Sequence, residues 1–245
     1  MSHVLTHVKY QLLETIRVPV AMIGNIFFPS ASMLFFVVPF AGDDPGASTY
    51  ATGSMMTFAV MSSCLFTYGV GVSEDRAQPW DPYLRTLPAG PVPRFAGRLV
   101  TGLALMGLAL LPVLLIAVLL TEATTTPLGL LLGFAALFAG AVPFTFLGLL
   151  IGYSLPSKAA IAVAQITFFP LAFGGGLITP PGSTPAFIEA IAPYLPTRGA
   201  VELVWAATTG FTPQVTSLVM LAVWTVVTGA FAVWAYRRDE GRRFA

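Results

Sequence analysis

The sequence predicts an all-α membrane protein with six transmembrane helices, and three observations predict it. Only 9% of the 245 residues are charged and 56% are hydrophobic, whereas a soluble domain carries about 25% charged residues. So little charge cannot cover a water-facing surface. Six segments also reach the roughly 17–25 apolar residues that a helix needs to cross a hydrocarbon core about 30 Å thick. None of the six contains an internal Asp, Glu, Lys or Arg.

The chain reads as one transmembrane domain, residues 1–245. In the N-terminal arm Val4, Leu5, Val8, Leu12 and Ile16 recur every three or four positions. That spacing predicts an amphipathic helix over residues 3–17, lying along the membrane surface. No short apolar core ends in a small-residue cleavage site, so a cleaved signal peptide is not expected. The spans follow at about 18–40, 50–72, 99–120, 128–153, 159–178 and 214–236. In the fourth, Gly129 and Gly133, and again Gly148 and Gly152, stand four apart. Small residues at that spacing let helix backbones approach closely in lipid.

Lys and Arg set the orientation, because cytoplasmic flanks retain them. Of the 12 Lys and Arg, only Arg198 falls on the side opposite the termini. Both termini are therefore expected in the cytoplasm. So is the longest polar loop, residues 73–98, which gathers Glu74, Asp75, Arg76, Asp81, Arg85, Arg94 and Arg98 with Trp80 and Tyr83. Trp, Tyr and Arg are enriched at protein interfaces. An ordinary solvated loop has the same residue types, and composition alone leaves both readings open.

Residues 180–212 are too apolar for a solvated loop and too interrupted to span. Two short helical pieces fit, at Pro185–Ala192 and about Thr197–Thr208. Pro193 and Pro196 part them, because proline breaks the helical ladder. A re-entrant helical hairpin on the outer side is expected, with the two prolines at its gate. The glycines Gly174, Gly175 and Gly176 predict an unwound end to the fifth span. Within the spans Asn25 and Gln165 either line a substrate path or bond a neighbouring helix. Phe27, Phe28, Phe35, Phe36, Phe168, Phe169 and Phe173 either line that path or face lipid.

Several chemistries have no residues to carry them. There is no G-x-x-x-x-G-K-[ST] phosphate loop and no G-x-S-x-G elbow. The single cysteine, Cys64, and the two histidines, His3 and His7, make neither a disulfide framework nor a metal site. The chain is expected to be no enzyme and to hold no cofactor or metal. Pumps that relay protons or ions usually bury an Asp, Glu or Lys within a span, and the six spans carry none.

The order of these features resembles the membrane subunit of a type-2 ABC exporter, a permease family serving drug, antibiotic, lipid and polysaccharide export. An amphipathic N-terminal helix precedes six spans. Glu74 follows the second span, then Leu84-Arg-Thr-Leu-Pro88, Arg94 and the Gly97-Arg98 start of the third span. Near the C-terminus FPLAFGGGLITP and STPAFIEAIAPYLPTRGAVELVWAA resemble the family's fifth span and outer re-entrant helices. The resemblance implies a coupling helix in the 73–98 loop, seated on a separate ATPase subunit. Glu74, Arg76, Trp80, Tyr83, Arg85 and Leu87 are its candidate contacts. It also implies a second permease copy, identical or homologous, and two copies of the ATPase, which would bind ATP and Mg. No nucleic acid is expected as a partner. The setting would be the bacterial plasma membrane, and the cargo a hydrophobic or amphipathic compound, as in multidrug or antibiotic efflux. Asn25, Phe28, Gln165 and Phe169 are the candidate path residues. A stand-alone secondary transporter or channel, and a non-transporting immunity or assembly factor, are the alternatives.

Overall fold

The computed structural model describes residues 9–10, 13, 19–79, 92–179 and 184–242, with backbone alone for 19–25, 92–96 and 241–242. The N-terminal arm expected over 3–17 lies largely outside the described residues. Those described form helices and connecting turns, with no strand among them. Five helices are long and apolar enough to cross a membrane: Pro45–Ala77, Gly97–Leu120, Pro127–Ser154, Ser157–Gly174 and Val215–Glu240. They correspond to the second to sixth expected spans.

The first expected span is helical but composite. Helix α1 (Pro19–Ser32) runs through a π-helical turn (Met33–Val37) into the short α2 (Val38–Ala41). The wide turn has a local cause. Pro39 brings no N–H to the ladder, and the Val38 N–H bonds back to the Met33 carbonyl, five residues earlier.

Helix α3 (Pro45–Cys64) starts sharply because Pro45 follows a capping aspartate. The Asp44 Oδ1 accepts from the Gly46 and Ala47 N–H groups at 2.7 and 2.9 Å, satisfying two donors that no helical carbonyl can reach. A second π-helical turn (Leu65–Val70) joins α3 to α4 (Gly71–Ala77), completing the second span. This span is the core of the bundle. Buried residues make up 78% of its apolar stretch, against 22–39% for the other four.

Helix α5 (Val92–Leu120) is the third span. The loop beyond it is pinned to α3, where Thr49 Oγ1 donates to the Thr124 carbonyl at 3.1 Å and accepts from the Thr124 N–H at 3.0 Å. Helix α6 (Pro127–Ser154) is capped by Thr126, whose Oγ1 accepts from the Gly129 N–H at 2.9 Å. Leu155 is extended and Pro156 precedes α7 (Ser157–Gly174), so two spans turn back on each other within three residues. Helix α7 ends at Gly175 and Gly176. Gly176 is left-handed at φ +73°, a conformation that glycine adopts without steric cost.

The segment expected as a hairpin follows, with α8 (Ala186–Ile191), a 3₁₀ turn (Ala192–Tyr194) and α9 (Pro196–Thr209). The two expected helical pieces thus exist, and Pro193 and Pro196 stand at the corner between them. Helix α8 is exposed, while nine residues of α9 from Pro196 to Trp205 are buried. Gly210, at φ +75°, ends α9. Helix α10 (Val215–Arg242) closes the bundle.

The glycines of α6 allow close packing. A side chain on Gly140 would meet the Ala200 Cβ at 2.8 Å, and one on Gly133 the Thr208 Cγ2 at 3.2 Å. At the other end, a side chain on Gly148 would meet the Cys64 carbonyl oxygen at 2.6 Å. One on Gly152 would meet the Tyr68 carbonyl oxygen at 2.5 Å. One half of α6 therefore lies against α9 and the other against the second π-helical turn.

Candidate functional site: the base of the loop after the second span

The end of the second span is a polar junction. Four consecutive residues, Ser73 to Arg76, divide between inward and outward roles. The Ser73 carbonyl accepts from Ser157 Oγ, on the first residue of α7, at 3.1 Å. Asp75 is ion-paired with Arg98 of α5. Arg76 reaches α6 and α10 together. Its Nη1 donates to the carbonyls of Gly152 at 2.7 Å and Leu155 at 3.2 Å. Its Nη2 pairs with the Asp239 carboxylate on α10. The second span is thus tied here to the third, fourth, fifth and sixth. Glu74 is exposed, and the Asp75 side chain is 37% exposed at its ion pair.

The chemistry explains why arginine stands at 76. Gly152 lies in the last turn of α6 and Leu155 just beyond it, where carbonyls lack helical donors. A cation there also opposes the negative end of the helix dipole. The planar guanidinium serves two carbonyls from Nη1 and a carboxylate from Nη2, a rigid fork that the single nitrogen of a lysine does not offer. The junction is half-enclosed: the Arg76 side chain is 18% exposed and that of Asp239 is 5% exposed. Beside it the Tyr153 and Tyr236 rings meet edge to face at 5.2 Å, and Tyr236 donates to Glu240.

A second polar cluster lies in the hairpin. Arg198 Nε donates to Glu202 Oε1 at 2.6 Å, one helical turn along α9. The other carboxylate oxygen accepts from the Gln214 N–H at 2.8 Å, just ahead of α10. The Arg198 guanidinium lies 5.1 Å from the Trp205 ring centroid. Trp205 Nε1 donates to the Tyr50 carbonyl at 3.0 Å, and its ring meets those of Tyr50 and Phe211. Arg198, Glu202 and Trp205 are all buried.

This cluster lies deep in the bundle. Trp224 Nε1 donates to the Tyr194 carbonyl at 2.9 Å, placing the hairpin corner beside a residue about 14 Å along α10 from its start at Val215. Ala200 lies beside Gly140, near the middle of α6. The expected spans carry no internal Asp, Glu, Lys or Arg, but the bundle buries a base and an acid nonetheless. Neither drew notice in the sequence beyond Arg198 as a lone outer cation. The i,i+4 spacing of Arg198 and Glu202 on a helix that also carries Trp205 was the available signal.

Of the other expected site residues, Phe28 and Phe169 are exposed on the bundle surface, as are Phe27, Phe35, Phe36 and Phe173. Phe168 is buried and packs edge to face on Phe58 at 4.8 Å. Gln165 is on the exposed face of α7. Asn25 is described by its backbone only, in α1. Trp80, Tyr83, Arg85 and Leu87 lie outside the described residues. Pro193 is half-buried in the 3₁₀ turn and Pro196 is buried at the first position of α9.

A family model described as "ABC-2 type transporter" matches residues 2–209. The chain belongs to the ABC-2 type transporter family. It is a multi-pass membrane protein and a transporter permease, and the family in general works with an ATPase subunit. The matched residues run to the last residue of α9 and include Ser73–Arg76, Arg198, Glu202 and Trp205 of the permease, and they leave α10 with Asp239 outside. The permease is also 22% identical, over 187 residues, to the "Putative transport permease YvfS" of Bacillus subtilis (strain 168), covering 76% of each chain.

Proposed function

We propose that this permease is the membrane half of an ATP-driven exporter of a hydrophobic or amphipathic compound in the bacterial plasma membrane. In this reading the chain crosses the membrane six times, α1 with α2 making the first crossing, and both termini are cytoplasmic. The hairpin of α8 and α9 is re-entrant from the outer side. Two permease copies, identical or homologous, pair with two ATPase subunits. Those subunits bind ATP and Mg, and this chain has no ATPase site of its own.

The observation that carries the proposal is the junction at Ser73–Arg76. A loop that receives mechanical work must be joined to the elements it moves. Here the base of the 73–98 loop is bonded to four other spans. Closure of the ATPases would displace the loop, and the bundles would follow as near-rigid bodies, opening a path between them. The exposed apolar faces of α5, α7 and α10 suit lipid, a second copy or an apolar cargo. Within the loop Glu74, Trp80, Tyr83, Arg85 and Leu87 are the proposed ATPase contacts.

The test is dye export from cells producing the chain with and without its ATPase, using a fluorescent amphipathic cation as the probe. Export that needs both chains and an intact ATPase phosphate loop is expected. Equal, nucleotide-independent export in both strains overturns the reading. A second measurement is ATPase co-purification after Trp80, Tyr83 and Arg85 are changed to alanine; retention at the normal ratio rejects the proposed contact.

A further inference from the structure

Arg76 and Glu74 stand two residues apart at the end of one helix, yet they do opposite things. Glu74 is exposed. Arg76 is mostly buried, and both of its Nη atoms are engaged inside the chain, on Gly152, Leu155 and Asp239. A guanidinium held this way is poorly placed to meet a partner protein. It is well placed to hold three helices in one geometry.

Asp239 makes the arrangement specific. It lies three residues before the end of α10, with its side chain 5% exposed, and beyond the residues matched by the family model. A carboxylate this enclosed needs a charged partner, and Arg76 supplies it. Loop base and sixth span are thereby joined by a charge-assisted contact. The same guanidinium holds the end of the fourth span through backbone carbonyls, so on that side no acceptor side chain can rotate away. Close packing at Gly148 and Gly152 leaves little room for α6 to slide against the second span.

We infer that Arg76 is a positioning residue, and that with Asp239 it forms a clamp conveying displacement of the 73–98 loop to the fourth and sixth spans. This rests on the ATP-driven reading above and refines it: Arg76 acts within the permease, while its neighbour Glu74 faces the ATPase.

The test uses the full chain purified with its co-expressed ATPase and placed in lipid nanodiscs. A cysteine at the exposed Val215, at the start of α10, is labelled with a maleimide, with and without ADP·vanadate trapping. The native Cys64 is buried and is replaced by serine. Asp239→Asn is expected to keep the wild-type ATPase ratio and to cut the nucleotide-dependent change in labelling rate about five- to tenfold. Asp239→Glu, which keeps the charge, is expected to restore most of it. A purely structural role would lower thermal stability in Asp239→Asn but leave the nucleotide response at its wild-type size. That result overturns the clamp and leaves the permease reading intact. Loss of the ATPase from a stably folded Asp239→Asn complex also overturns it, since the pair would then serve docking. Should Asp239→Asn fail to fold, Arg76→Lys keeps the charge but not the fork, and must show the same selective loss. If no ATPase accompanies the wild-type chain, the exporter reading fails and takes the clamp with it.

Discussion

Glu202→Ala is the most informative single change in the hairpin. The carboxylate is fully buried. It accepts from Arg198 Nε at 2.6 Å and from the Gln214 N–H at 2.8 Å. Truncation leaves Arg198, itself 7% exposed, as a buried cation without its carboxylate, and strips an anion from the positive end of α10. Breaking one side of a buried pair costs about 3–5 kcal/mol. Replacing both partners by apolar residues of similar size, Arg198→Met with Glu202→Leu, removes the stranded charge. It is expected to be neutral or stabilising by about 1–4 kcal/mol. The assay is unfolding of the purified chain in mixed micelles of increasing denaturing detergent, followed by tryptophan fluorescence, because Trp205 is fully buried beside the pair. Wild type, Arg198→Met, Glu202→Leu and the double variant complete a thermodynamic cycle, with Glu202→Ala measured beside it. A cost for Glu202→Ala below about 1 kcal/mol, the range of an exposed pair, would refute the argument. So would a double variant as unstable as the single, because charge would then not be the cause.

Further outcomes follow from packing, burial and topology. Gly148→Ala puts a methyl 2.6 Å from the Cys64 carbonyl oxygen, whereas Gly107→Ala on α5 meets nothing within 4 Å. The first is expected to lower stability by at least about 1–3 kcal/mol through overpacking, and the second to raise it by up to about 1 kcal/mol through helix propensity, both read by the same detergent titration. Cys64 is buried, so a small maleimide should leave the folded chain unlabelled until it is denatured. On that silent background, cysteines at the exposed Thr125 and Lys158 report topology. An impermeant reagent added to intact cells should label Thr125→Cys and spare Lys158→Cys.

The spans were legible because apolar length is a local property, and the helix ends were legible where proline or a capping side chain stands. Pro45 and Asp44 start α3 five residues before the expected span, because a cap overrides hydropathy at a boundary. The two pieces of the hairpin were legible for the same reason, with Pro193 and Pro196 at the corner. The two polar clusters were not. Arg76 was singled out from the sequence as an interface residue, and nothing local says that its acceptors would be Gly152, Leu155 and Asp239, far away in the chain. Glu202 lies in the helical piece expected over about Thr197–Thr208, four residues after Arg198, but nothing local says that this face of the helix turns into the bundle. The π-helical turns were invisible for a further reason. In the turn Leu65–Val70, which has no proline, a one-residue surplus leaves no compositional mark.

That surplus leads to a last expectation about the second span. At one end it touches the hairpin, where Trp205 bonds the Tyr50 carbonyl and packs 3.2 Å from where a Gly53 side chain would begin. At the other end it carries the Ser73–Arg76 junction. Both faces must be correct at once, and the π-helical turn Leu65–Val70 lies between them. There the Gly71 N–H bonds the Phe66 carbonyl, five residues earlier rather than four, so the turn holds one residue more than an α-helix would. Deleting Thr67, half-buried within it, should convert the turn to plain α-helix and leave both ends on their present faces. Deleting Val60, in the α-helical part above, instead rotates one end by about 100° relative to the other and breaks one cluster. The Thr67 deletion is therefore expected to yield folded, ATPase-binding permease, and the Val60 deletion to be degraded or aggregated, as judged by size-exclusion chromatography after co-expression. Equal failure of both deletions would mean that the turn is fixed by its packing on Gly148 and Gly152 and is not a removable surplus.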